Sequence, residues 1–181
     1  MAGYKALSEY ILQQLNGGHS PGSNQYVPGL GFVCNRAAAA DPQNVWQNIF
    51  TIAGGRVIIT ALFGLRTVIQ AGGASTMQFR WDDGVTPTVL DAGTLAVTAH
   101  AVGTQYVLTG DTTDPITAGA TATPAMLGRV VATSTTYGAL GLFIVTAGTI
   151  DVTMTAAAGT GSTGYTLCYL PLDTAVTVVA A

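Results

Sequence analysis

The chain has 181 residues, a net charge of -3 and a pI near 4.9; 8% of its residues are charged and 49% hydrophobic. Ordinary soluble proteins carry roughly 25% charged residues, so the surface must be largely Thr, Ser, Gly, Ala and Gln, which does little to keep free monomers apart and points to life in an assembly. The 6 Lys and Arg are scattered singly and leave no electrostatic footprint for DNA or RNA, and no run approaches the ~18 apolar residues of a membrane span.

The length suits one domain with some chain to spare for an arm. Residues 4–15 carry the one helical pattern: Tyr4, Leu7, Ile11 and Leu15 recur at spacings of three and four and form a narrow apolar stripe. Gly17 and Gly18 end it. Three turns are marginal alone, so the stripe must dock on its own body, a sister subunit or another protein. The opening MAGYKALSEYILQQLNGG lacks the basic and apolar regions of a secretion signal, so synthesis in a reducing cytoplasm is expected. Residues 17–44, rich in Gly, Pro, Ser and Asn, read as an extended arm outside the core. Their apolar residues, notably Tyr26, Leu30 and Phe32, suit an arm lying in a groove.

From residue 45 to 181 the pattern is that of short strands. In TMQFRWD, residues 76–82, Met77, Phe79 and Trp81 alternate with Gln78, Arg80 and Asp82, and a turn at Asp83-Gly84 follows. Gly54-Gly55 reads as a reversal between strands 47–53 and 56–63, and Gly64 as the end of the second of these before a strand at 65–70. Further strands are expected at 87–91, 94–99, 104–109, 128–133, 164–170 and 175–180. The runs 140–145 and 149–155 suggest a hairpin, and 110–127 a long surface loop. With no helical period between the strands, the pattern predicts an all-β domain: an antiparallel β-sandwich or jelly roll, preceded by a short N-terminal helix and extended arm spanning residues 1–44.

Chemistry-bearing motifs are sparse. His19 and His100 have no linked Ser or Cys and read as surface histidines, and no GxSxG, HExxH or P-loop is present, so no enzyme is expected and no cofactor. Asp82, Asp83, Asp111 and Asp114 lie in turns without the spacing of a calcium loop, so no metal site is expected. Cys34 and Cys168 lie far apart and read as free, buried thiols. Trp81 reads as core; Trp46 suits either core or an interface.

The stretches TIAGGRVIITALFG, LGLFIVTAGTIDVTMTA and GYTLCYLPLD, the last followed by a Val-rich strand, resemble small structural proteins of tailed bacteriophages, among them capsid decoration (cement) proteins. The likeness covers roughly residues 45–180. It implies a non-enzymatic role on the outer surface of the capsid, with copies set commonly as homotrimers that clamp neighbouring major capsid protein subunits. It carries no catalytic residue, and it says nothing of the arm. From the local sequence, Tyr4, Leu7, Ile11, Leu15, Tyr26, Leu30 and Phe32 are the expected protein-interaction residues. A phage tail or fibre component is the alternative within virions. A carbohydrate-binding β-sandwich is the alternative beyond them, with Tyr26, Tyr106 and Tyr137 as its candidate platforms.

Overall fold

A computed structural model describes residues 25–70, 74–90, 95–108, 116–119, 143–155 and 161–181. The helical pattern at 4–15, the strand expected at 128–133, His19, Asp111, Asp114 and Tyr137 lie outside these residues.

The described chain is all β, in two antiparallel sheets that form a β-sandwich. Its strands are β1 (Gln25–Val27), β2 (Gly31–Ala40), β3 (Gln47–Ala53), β4 (Val57–Val68), β5 (Thr76–Asp82), β6 (Thr88–Val89), β7 (Leu95–Ala96), β8 (Gln105–Leu108), β9 (Ile116–Gly119), β10 (Phe143–Val145), β11 (Gly148–Thr155), β12 (Ser162–Pro171) and β13 (Thr177–Ala180). The first sheet runs β1-β2-β12-β4-β8-β9, with β10 on the same edge of β4 as β8. The second runs β13-β3-β11-β5-β6, with β7 beside β6 on the edge of β5.

Alternation of apolar and polar residues builds the inner faces. Met77 and Phe79 of β5, Ile150, Val152 and Met154 of β11, and Phe50 and Ile52 of β3 point inward and are all but inaccessible. They meet Val57, Ile59 and Leu62 of β4 and Tyr165 and Leu167 of β12. Phe79 and Tyr165 touch edge to face across the two sheets, with centroids 6.0 Å apart. Each fully buried side chain of this size stabilises by ~1.5–3 kcal/mol. Cys34 and Cys168 are free and buried, as their spacing predicts.

Four expectations need correction. The stretch read as an arm is, from Gln25, two strands of the first sheet, and β2 pairs with β12 over most of its length. Gly64 ends nothing: β4 is continuous, and a side chain there would press within 3.2 Å of Tyr106 and 3.3 Å of Tyr165. The runs ending at Val145 and beginning at Gly148 form no hairpin, because β10 pairs with β4 in the first sheet and β11 with β3 and β5 in the second. The stretch 110–127 contains a strand, β9, which pairs with β8.

Gly54-Gly55 likewise carries the chain between the sheets, since β3 and β4 belong to different ones. Gly54 has φ 81°, and a Cβ on it would lie 2.1 Å from the Ala175 carbonyl oxygen. Only Gly fits so close an approach. Arg56 follows; its backbone N–H and guanidinium donate to Asp173 at 2.8 to 3.1 Å, fastening this crossing to the turn between β12 and β13.

Candidate functional site

The two sheets turn different surfaces outward. On the second, cross-strand register groups Thr51, Asn48, Thr149, Asp151, Thr153, Gln78, Arg80 and Asp82 on one face. Arg80 donates to Asp151 at 2.8 Å and to Asp82 at 2.9 Å, and its guanidinium lies 4.6 Å from the centre of the Trp46 ring. Trp46 is thus half-buried beneath a cation of its own body. Asp82 and Asp83 also accept from the backbone N–H groups of the turn that follows, at 2.8 Å. Bonding to those N–H groups holds the Asp83 carboxyl below its ordinary pKa. Both aspartates are therefore turn-forming residues.

On the first sheet the outward residues are mixed: exposed or half-buried apolar side chains stand among the neutral polar residues Asn35, Thr67, Gln105 and Thr166. Ile144, Ile58 and Leu170 stand side by side on β10, β4 and β12; Ile144 is 67% and Leu170 37% exposed. Farther along β4, Phe63 neighbours Thr166 and Val107, and Leu65 neighbours Gly164 and Gln105. Here β2 carries extra residues opposite Gly164, because Thr163 pairs with Ala39 but Tyr165 with Arg36. This β-bulge, the small Ala38 and the missing side chain of Gly164 leave a hollow of about 420 Å³ between the Phe63–Leu65 wall and β2.

Of the expected interaction residues, Tyr4, Leu7, Ile11 and Leu15 lie outside the described residues. Tyr26, Leu30 and Phe32 sit together at the β1–β2 edge of the first sheet, all half-buried. Tyr26 meets Phe32 edge to face at 5.3 Å, and Phe32 lies 5.8 Å from Tyr169. This aromatic row continues the core to the sheet edge.

A third grouping was not anticipated. Behind β4, Arg66 is fully buried and its Nη1 donates to the buried Asp41 carboxylate just after β2. Its Nε donates to the Tyr106 hydroxyl at 3.2 Å, and the Tyr106 ring is stacked on His100 with centroids 5.9 Å apart. Because Arg66 can only donate, Tyr106 has its own proton free to donate to His100 Nδ1, 3.3 Å away. That arrangement requires neutral His100. Burial, and then the Arg66 charge, push its pKa down. His100 is therefore a half-buried member of an interior network rather than a surface histidine. Burial raises the Tyr106 hydroxyl too, and raises that of neighbouring Tyr165 far above the usual tyrosine range. Asp41 Oδ1, Arg66 Nη2 and Gln70 Oε1 have no hydrogen-bond partner among the described residues.

Tyr106 is thus wholly inside and cannot serve as a sugar platform. The sequence held one signal for this network: with Leu62 and Gly64 inward, alternation carries Arg66 inward as well. Among the described residues, no group of three or more His, Cys, Asp or Glu could hold a metal ion, and no helix is long and apolar enough to cross a membrane. Compared with known proteins, the chain matches no family model, no curated protein and no solved structure.

Proposed function

We propose that this chain is a non-enzymatic virion structural protein that decorates and stabilises a bacteriophage capsid. It sits on the outer surface and binds across major capsid protein subunits, as a homotrimer made in the host cytoplasm. The observation that carries the reading is the exposed apolar row Ile144, Ile58 and Leu170 on the outer face of the first sheet: in a chain with 8% charged residues, such a row is built to be covered. Exposed contiguous apolar surface of this kind marks interaction sites.

The strand wiring supports it. Successive strands β2, β3, β4 and β5 alternate between sheets, giving the orders β2-β12-β4-β8 and β3-β11-β5-β6. We read this as a jelly roll, an architecture frequent in viral capsid and lectin domains. Fold alone does not assign function; the resemblance of TIAGGRVIITALFG, LGLFIVTAGTIDVTMTA and GYTLCYLPLD to phage decoration proteins narrows it. In this reading the apolar stripe of Tyr4, Leu7, Ile11 and Leu15, with Tyr26, Leu30 and Phe32, adds contacts at subunit boundaries, and many copies on one shell multiply weak contacts.

Sedimentation of the purified chain alone and with undecorated phage heads or isolated tails tests the proposal. A trimer that pellets with heads supports it. A chain that ignores heads and pellets with tails would move it to the tail or fibre.

A further inference from the structure

We infer that the hollow beside Gly164 on the outer face of the first sheet is a binding site for a neutral saccharide. Its volume, about 420 Å³, falls within the usual range of small-ligand pockets. One wall is hydrocarbon, Phe63 and Leu65, to which the C–H face of a sugar ring is complementary. The rim is made of neutral groups that can both donate and accept, the side-chain amides of Asn35 and Gln105 and the Thr166 hydroxyl.

The local bonding sets what the rim offers. The Thr166 hydroxyl donates to Asn35 Oδ1 at 2.7 Å, which leaves the Asn35 amide N–H groups to donate and a Thr166 lone pair to accept. Arg36 is the one charged residue of the lining, and its Nε is already held by the Ala181 carbonyl at 2.8 Å. A phosphate or carboxylate ligand would find one guanidinium and no second cation in the lining. A purely apolar ligand would leave the amides uncompensated. A polyol with one apolar face satisfies both parts of the lining.

The hollow is also held stiff from behind. Gly64, in its floor, backs onto Tyr106 and Tyr165, and Arg66 and Asp41 lock β4 to the end of β2. This site differs from the tyrosine platforms that the sequence suggested, and it is a site of the free chain: on a capsid it would lie on the covered face, so its test is independent of attachment.

The experiment is a titration of the full chain with glucose, galactose, mannose, N-acetylglucosamine and their β-linked oligomers, followed by residue-resolved amide NMR. Saturable shifts confined to Phe63, Leu65, Gln105, Asn35 and Gly164 with at least one of these sugars are expected. A Cβ at Gly164 meets only ordinary contacts of 3.4 Å and longer, so Gly164→Val should fill the hollow and weaken binding at least about tenfold without unfolding the domain. Gln105→Ala, at an exposed position, should weaken it without changing the melting temperature. The absence of shifts at the hollow with every sugar up to about 50 mM, well above a millimolar dissociation constant, would overturn the inference. So would binding that Gly164→Val and Gln105→Ala both leave intact, or sugar-independent shifts at the hollow that grow with protein concentration and reveal a second copy seated there.

Discussion

The two sheets place their ion-pair networks on opposite sides. In the first, the ion pair Arg66–Asp41 is inside and Ile58, Phe63, Leu65, Ile144 and Leu170 face outward. In the second, Phe50, Met77, Phe79, Ile150 and Met154 are inside and the Arg80, Asp82 and Asp151 network lies on the outer face, with Asp151 itself buried beneath Arg80. The second is the ordinary economy of a soluble β-sheet. The inversion in the first teaches that the scarcity of charge in this chain is not uniform: one of its few cations is buried where solvent cannot reach it, and the face in front carries apolar side chains among neutral polar ones.

Breaking the interior pair should have the largest effect. Arg66→Ala leaves Asp41 buried without its partner, and should cost about 3–5 kcal/mol in urea unfolding. Replacing both partners, Asp41→Leu with Arg66→Met, should cost clearly less than Arg66→Ala, since three polar atoms of this cluster are already unpaired. Equal losses in the single and double variants would show that the pair is not the source of the effect.

Gly64→Val comes next. Its side chain would crowd Tyr106 and Tyr165 and should cost about 1–3 kcal/mol, with the shift in melting temperature as the measure. On the second sheet, Arg80→Ala should cost about 1.5–3 kcal/mol, less than Arg66→Ala, because Arg80 and Asp82 keep some exposure although Asp151 is buried. A loss as large as that of Arg66→Ala would erase the contrast between the sheets.

Acid should give the smallest effects. The folded-state pKa of His100 lies below its ordinary 6.5, so the protein favours the neutral ring. Stability should fall as pH drops below about 6.5 toward that lower value, and His100→Gln should remove this step. The Arg56 guanidinium and backbone N–H hold the Asp173 carboxyl down from 3.8 to about 2. Its contribution is present above 3.8 and is lost as pH falls toward 2. Arg56→Gln should flatten that second step in a pH-dependent melting series.

The sequence made β3 and β5 legible to their ends, because residues 47–53 and 76–82 each put one polar face against solvent. It hid β2, where Ala37 to Ala40 offer neither alternation nor β-branching, and a bulge breaks the register beside them. It split β4 at Gly64, since a glycine demanded by two nearby tyrosine rings looks the same in sequence as one demanded by a turn. Proximity along the chain suggested a hairpin at residues 140–155, where the chain in fact crosses between sheets. The outer apolar grouping was illegible for a simpler reason: Ile58, Phe63 and Leu65 come from one strand, Ile144 and Leu170 from two others, and only the pairing brings them together.

The central claim is that the first sheet's outer face is the covered one. It is tested most directly by placing one carboxylate on each face, Ile144→Asp on the first and Thr153→Asp on the second, and measuring how much of each variant pellets with undecorated phage heads. Both positions lie on outward-facing strand surfaces, so both variants should fold. The account predicts that Ile144→Asp loses attachment while Thr153→Asp attaches like the parent chain. Attachment that survives Ile144→Asp and is lost with Thr153→Asp would contradict it.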